Sequence, residues 1–447
     1  MSTENDIRLI AFYLPQFHPI PENDLWWGKG FTEWINVAFA KPVFPGHYQP
    51  HIPADLGFYD LRLAEVREEQ AYLAKAYGIY GFCYYYYYFN GKRLLNRPLD
   101  ENLRTGKPDF PFCICWANEN WTRRWDGREN EIIIEQKHSK EDDEVFIRQL
   151  IPVLKDKRYI RVNNKLLLLI YRVERFPDIN QTVDIWRNII KKELNEELFL
   201  CAVNNFVKEI DPRLIGFDAT VQFPLDFHPE CRVLPQWSSN ENNLEFTPLD
   251  DYLIMDYKLV MERMVNIKKP PYKFFRGIFP AWDNTPRRQN SSAIFVNSSP
   301  ELYSIFLKIT IELTDAEHSG DEKLIFINAW NEWAEGAHLE PDKKFGLQWL
   351  EKTKEALASK VDYLQLMEKL STIVTNTVLP VNVIDSSHNN NIAFEKKSNK
   401  QYQATHYDNE ADIIRRSYTY KVGRIIMWLP IQAYNLIKRF KIGKNGY

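Results

Sequence analysis

Eight apolar runs rich in β-branched and aromatic residues recur along this chain, each separated from the next by a longer segment. The runs cover 7–16, 79–89, 111–121, 165–172, 198–205, 217–224, 275–284 and 323–333. Some are continuously apolar, such as Leu166 to Ile170 and Leu324 to Ile327, as expected of parallel strands buried on both faces. Between them, 61–77, 141–155, 183–194, 252–267, 300–313 and 347–357 carry apolar residues at helical spacing. Strand and helix alternating to a total of eight strands predicts a closed eight-fold β/α (TIM) barrel. An open doubly wound sheet normally has fewer strands and a glycine-rich phosphate turn, and no G-x-G-x-x-G or P-loop motif is present.

The chain has 447 residues, which suits one large barrel with an appendage. We place the barrel at 5–370, a polar flexible linker at 371–412 and a basic amphipathic tail at 413–447. The linker follows from the Asn, Ser, Lys and Gln content of 385–412, which offers little apolar surface to offset the entropy of ordering. In the tail there is no Asp or Glu, and eight Lys and Arg residues flank the apolar run Ile425 to Ile431. That run is too short to span a bilayer, which takes about 20 residues, but it can lie on one.

A net charge of −3 gives no reason to expect a nucleic-acid partner. Five cysteines (Cys83, Cys113, Cys115, Cys201, Cys231) are too sparse for a disulfide framework and have no zinc-site spacing. They are expected to be reduced and buried. The polar start, Met1 to Arg8, leads into a strand without an apolar signal core; the expectation is a cytoplasmic protein, peripheral at the inner face of the membrane if the tail binds there.

In a β/α barrel, catalysis sits at the C-terminal strand ends, and polar residues gather there. The first run ends in Tyr13, Gln16 and His18, the third in Trp116, Asn118, Glu119 and Trp121, the seventh in Trp282 and Asp283, and the eighth in Asn331, Glu332, Trp333 and Glu335. Glu332 and Glu335 form the sharpest signal. On a helical turn their Cβ atoms would lie roughly 5 to 6 Å apart, near the carboxyl separation of about 5 to 5.5 Å in retaining glycosidases. Flanked by Trp330 and Trp333, one carboxyl should keep its proton as a general acid while the other stays a base. The alternative is that both glutamates cap or salt-bridge a following helix.

Aromatic residues make up 14% of the chain; sugar rings pack their C–H faces on such planes, although a large aromatic core would give the same number. Trp34, Tyr85 and the strand-end residues above, from Tyr13 to Trp333, are therefore candidates for substrate binding. Glu119 can instead pair with Arg123 or Arg124. Only about half of Tyr84 to Tyr88 can face the barrel interior. His18, His47, His51 and Asp55 lack metal-site spacing, so neither a metal nor another cofactor is expected.

With these residues in place, the chain resembles the WbsX-type glycosyltransferases, which are similar to glycoside hydrolase family 99. The resemblance spans about 5–360 and rests on four motifs: Ala11 to His18, Trp26 to Trp34, Trp116 to Trp121, and Asn331 to Gly336. It departs from the hydrolases at Ala334 and His338. It implies a β/α barrel acting in bacterial surface polysaccharide synthesis, O-antigen or capsule. The substrate would be a glycan or lipid-linked oligosaccharide, met at the inner leaflet by 413–447. It further implies that Glu332 deprotonates the sugar 2-OH, giving a 1,2-anhydro sugar, and that Glu335 is the acid and then the base. A retaining endo-acting hydrolase and a non-catalytic glycan-binding barrel are the competing expectations.

Overall fold

The computed structural model describes residues 6–123, 128–204, 210–223, 225, 227–233, 252–288, 292–360 and 362–373, with backbone alone at 123 and 128–130. All of these lie in the unit Met1–Val381. The expected linker, apart from 371–373, and the expected basic tail lie outside the described residues.

Eight parallel strands close on themselves: β1 (Arg8–Tyr13), β2 (Ile79–Phe89), β3 (Phe112–Trp116), β4 (Lys165–Ile170), β5 (Leu198–Asn204), β6 (Ala219–Gln222), β7 (Phe274–Ile278) and β8 (Leu324–Ile327). Each pairs with its sequence neighbours, and β1 closes the barrel by pairing with both β8, Leu9 opposite Ile325, and β2, Phe12 opposite Cys83. Every expected apolar run therefore holds a barrel strand. Apart from β2, which fills its run, the strands stop short of the runs at their C-terminal ends, where the chain leaves the sheet.

Side-chain parity divides the aromatic residues. Phe12, Phe326 and Phe275 point into the barrel, with ring centroids 5.8 Å apart for Phe12 and Phe326 and 6.4 Å for Phe326 and Phe275. They make the interior a packed core. Tyr84, Tyr86 and Tyr88 point outward: Tyr84 packs on Tyr13 and Phe112, while Tyr86 and Tyr88 pack on Phe146. The five cysteines are free and buried.

The helices are α1 (Pro21–Trp27), α2 (Glu33–Phe39), α3 (Ala64–Ala76), α4 (Arg97–Thr105), α5 (Lys140–Leu154), α6 (Ile179–Leu194), α7 (Tyr257–Val265), α8 (Pro300–Glu317), α9 (Gln348–Ala358) and α10 (Tyr363–Thr372). Side-chain caps start several of them, with Ser139, Asp178 and Ser299 each accepting a backbone N–H. One local expectation is corrected, and the alternation of strand and helix has exceptions. The segment expected as a helix from 252 opens with a strand, Tyr252–Asp256, paired in parallel with Ser292–Val296; burial of Tyr252, Met255 and Asp256, three and four positions apart, mimics a helical stripe over so short a span. Helices α1, α2 and α4 were not expected, although Pro98 near the start of α4 and left-handed Gly106 at its end bracket it. Between β5 and β6 the described residues form only a 3-10 turn, Pro212–Ile215. Among the described residues no helix is long and apolar enough to cross a membrane.

Candidate active site

The site is built on the chain that leaves β8. Asn331–Glu332 pairs antiparallel with Ala337–His338, and the tip between them is a 3-10 turn, Trp333–Glu335, closed by Gly336 in the left-handed region at φ 61°. A Cβ on Gly336 would lie 3.0 Å from the Asp283 backbone nitrogen. Only glycine meets both conditions without strain. The close approach lets Asp283 N–H donate to the Glu335 carbonyl at 2.7 Å, which ties the turn after β8 to the loop after β7.

One arginine organises the acids. Arg287 Nη2 lies 2.7 Å from Glu332 Oε2, Nη1 lies 2.6 Å from Glu335 Oε1, and Nε lies 2.6 Å from Glu33 Oε1 at the start of α2. All three guanidinium nitrogens are engaged, each by a different carboxylate. Both strand 8 carboxyls thus reach one planar group, and their spacing is set by its geometry. The glutamates do not cap a following helix.

Three carboxyls around one cation leave excess negative charge in a buried place. Burial, partly offset by Arg287 and reinforced by Glu335 and Glu33, pushes the Glu332 carboxyl up to about 8. These surroundings favour its protonated form. The same three carboxylates hold the Arg287 guanidinium well above its ordinary value, against the effect of burial.

Tyr85, Tyr87 and Tyr171 face the acids. Burial raises all three hydroxyls, and negative charge on Glu332 is the next cause for Tyr85 and Tyr87; for Tyr171 it is Glu119, then Glu335. Tyr85 stacks on Phe12 at 5.4 Å, and Gln16 Nε2 donates to the Tyr87 hydroxyl at 3.2 Å. Trp121 completes this wall, with Tyr87 and Trp26 edge-on at 5.2 and 5.9 Å. Glu119 pairs with Arg172; the expected partners Arg123 and Arg124 lie outside the residues whose side chains are described. Asp283 accepts from Gln49 Nε2 and contacts His47 Nε2, each at 2.6 Å. These partners hold its carboxyl below its ordinary value despite burial.

Several candidate residues sit in supporting positions. Asn331 bonds the backbone N–H and C=O of Leu14 at 2.7 and 3.0 Å, and Asn118 does the same to Arg172 at 2.8 and 2.9 Å. Each amide clamps one strand end to its neighbour. Trp116 is buried on the outer face, stacked on Phe146 at 3.9 Å, and Tyr13 bonds Gln70 of α3 at 2.7 Å. Trp34 donates to the Tyr59 carbonyl at 2.7 Å; Trp333 donates to Glu340 Oε2 at 2.6 Å and stacks on His338 at 3.7 Å. His18 is buried, and Trp282 lines a separate cavity. Sequence reasoning missed Arg287 and did not single out Glu33, although Glu33 lies within a quoted motif and a charge next to Trp34 at a helix start invites a search for its partner.

The chain is similar to several known proteins. A family model described as glycosyltransferase WbsX matches residues 9–353. In two strains of Xanthomonas campestris pv. campestris, the uncharacterized protein WxcX is 44% identical over 354 residues, covering 79% of this chain and 50% of the relative. The chain thus spans about half the length of those relatives. Among solved structures, the GH99 endo-alpha-mannosidase from Bacteroides thetaiotaomicron is 14% identical with a TM-score of 0.49, covering 83% of this chain and 100% of that one. A glycoside hydrolase-like protein is 14% identical with a TM-score of 0.48, covering 80% and 95%.

Proposed function

The chain belongs to the WbsX glycosyltransferase family, and from that premise we propose that it transfers glycosyl units in the assembly of a bacterial surface polysaccharide, O-antigen or capsule, with Glu332 and Glu335 as the reacting groups. The observation that carries this reading is the single guanidinium of Arg287 bridging both carboxyls. A shared cation fixes two acids at one reacting centre and tolerates a proton on either.

In the first step Glu332 accepts the proton of the sugar 2-OH, O2 attacks C1, and the bond from C1 to the leaving oxygen breaks as Glu335 donates its proton to that oxygen. In the second step Glu335 takes the proton of an acceptor hydroxyl, whose oxygen attacks C1 and opens the anhydro ring; O2 recovers its proton from Glu332. The pair starts the cycle with one proton and ends with one. The surroundings of Glu332 favour its protonated form, so the cycle requires the proton to sit on Glu335 once substrate binds, and contacts to one guanidinium make that exchange a short rearrangement.

Gln16, Tyr85, Glu119 and Trp121 supply hydrogen bonds and ring faces for the glycan. A lipid-linked oligosaccharide is the donor or acceptor, and 413–447 would hold the enzyme at the inner leaflet by apolar insertion and attraction to anionic lipid.

The test is mass spectrometry of lipid-linked and surface glycans from a strain lacking the gene, complemented with wild type or Glu335→Gln. A missing repeat unit restored by wild type alone is the expected result. Unchanged repeat structure with altered chain length would mean hydrolysis instead of transfer, and rescue by both proteins would mean a glycan-binding role.

A further inference from the structure

Behind the loop after β7, and apart from the Arg287 cluster, lies a cavity of about 520 Å³. Asp283 and Gly336 belong to its wall, and so do His51, His338 and Asp342. The last three are all buried, at 7%, 2% and 1% exposure, and each directs one possible ligand atom so that the three atoms lie within 4.8 Å of one another. We propose that His51, His338 and Asp342 form a binding site for a divalent transition-metal ion, zinc being the best fit, with an open coordination position toward the cavity.

Donor chemistry carries the case. His338 Nδ1 lies 3.0 Å from the Glu340 carbonyl oxygen, which can only accept, so Nδ1 bears the hydrogen and Nε2 presents a lone pair. This is the usual way a backbone carbonyl orients a metal-binding imidazole. His338 Nε2 is 2.9 Å from His51 Nδ1 and 3.8 Å from Asp342 Oδ2. A hydrogen on His51 can fill the first contact. It leaves the carboxylate oxygen facing the lone pair of a neutral imidazole in the second, and a cation among the three atoms removes that conflict.

The size is right for such an ion. Metal–nitrogen bonds of about 2.0 to 2.1 Å in a tetrahedral site separate neighbouring ligand atoms by roughly 3.3 Å, a value between the two distances seen here. Two nitrogens and one oxygen suit zinc and its neighbours in the divalent series better than calcium or magnesium. Three protein ligands beside a cavity leave a fourth position for water or another oxygen donor.

The three ligands are also held in place. The His51 segment is laced to the Asp342 segment by Ala54 N–H to the Pro341 carbonyl at 2.9 Å and Lys343 N–H to the Ile52 carbonyl at 2.8 Å. Asp342 Oδ1 accepts the backbone N–H groups of Lys344 and Phe345 at 2.7 and 2.6 Å, while His338 lies flat on Trp333. Lys344 lines the same cavity and would oppose a cation, but its ammonium sits over the rings of Tyr48 and Phe345, at 4.5 and 4.7 Å. Sequence spacing could not reveal this set, since His51 and His338 are 287 positions apart; His47, grouped with His51 in the sequence, goes to Asp283 instead.

The test uses the full-length protein, stripped with chelator and dialysed against zinc or cobalt. Wild type is expected to bind one ion per chain, with cobalt giving the intense visible absorption of a four-coordinate nitrogen and oxygen site. His51→Asn should weaken binding at least tenfold. So should Asp342→Asn, a gentler change that keeps an oxygen to accept from Lys344 and Phe345. Failure of the wild type to bind either metal would overturn the proposal, and so would equal binding by wild type and Asp342→Asn.

Discussion

Raising the pH through 8 should strip the proton from Glu332 and stop the enzyme, because the cycle needs one proton on the carboxyl pair. With the Glu332 carboxyl pushed up to about 8, its protonated form should give way to the carboxylate as pH rises from about 7 to about 9. Infrared difference spectra between wild type and Glu332→Gln would follow the protonated-carboxyl stretch directly, without substrate. With substrate in hand, kcat/KM should fall roughly tenfold between pH 7 and pH 9. Stability supplies an independent reading. Since the folded-state value is raised above the unfolded one, Glu332 contributes stability fully present below about pH 4.5 that is lost as pH rises toward 8, at roughly 1.4 kcal/mol per pH unit. Wild type should therefore lose ground to Glu332→Gln over that window in denaturant titrations. A carboxyl band that vanishes below pH 6, or a kcat/KM that climbs through pH 8, would refute the reasoning.

Arg287→Gln removes the cation that holds Glu33, Glu332 and Glu335; with Glu33 fully buried, a loss of roughly 3–5 kcal/mol in denaturant midpoint experiments is expected. In whatever fraction folds, the Glu332 infrared titration should move to higher pH, because Arg287 is the largest effect opposing burial there. Asn331→Ala leaves the Leu14 N–H and C=O without their amide partner, and calorimetry should register a loss of roughly 2–4 kcal/mol. Gly336→Ala forces a side chain at φ 61° against the Asp283 backbone; circular dichroism should show a folded barrel, while activity falls by at least tenfold as Glu335 is displaced.

The barrel was legible because its strands are buried on both faces, so that Leu166 to Ile170 or Leu324 to Ile327 carry an unbroken apolar signal. The closeness of Glu332 and Glu335 was legible for a related reason: two carboxylates three positions apart at a strand end stand out among tryptophans, and the structure brings both to Arg287. Which aromatic residues are buried and which reach the cleft was not legible from type alone. Trp116, Trp34 and Trp333 have the composition of a glycan platform and the position of a core, and only their burial decides. The same holds for Asn331 and Asn118, whose amides match backbone and sugar hydroxyls equally well. Helix α4 was lost because nine residues offer too few turns for a clear apolar stripe.

Arg287 escaped notice for a reason that also explains how the site holds together. Its partners lie 45 positions away at Glu332 and 254 away at Glu33, and nothing around it in the sequence marks a motif. Its place is fixed by the loop it ends. Asp283 is anchored by His47 and Gln49 and grips the Glu335 carbonyl, Asn284 bonds the Ala293 N–H at 2.8 Å, and the turn then delivers Arg287 to the acids. The loop after β7 is thus shared: one side carries the cation that Glu332 and Glu335 share, and the other lines the cavity where His51 and His338 meet. Because Ala337–His338 is also the strand paired with Asn331–Glu332, an ion bound at His338 would stiffen the hairpin that carries the acids. Occupancy of the cavity and alignment of the carboxyls are then coupled through one hairpin and one loop.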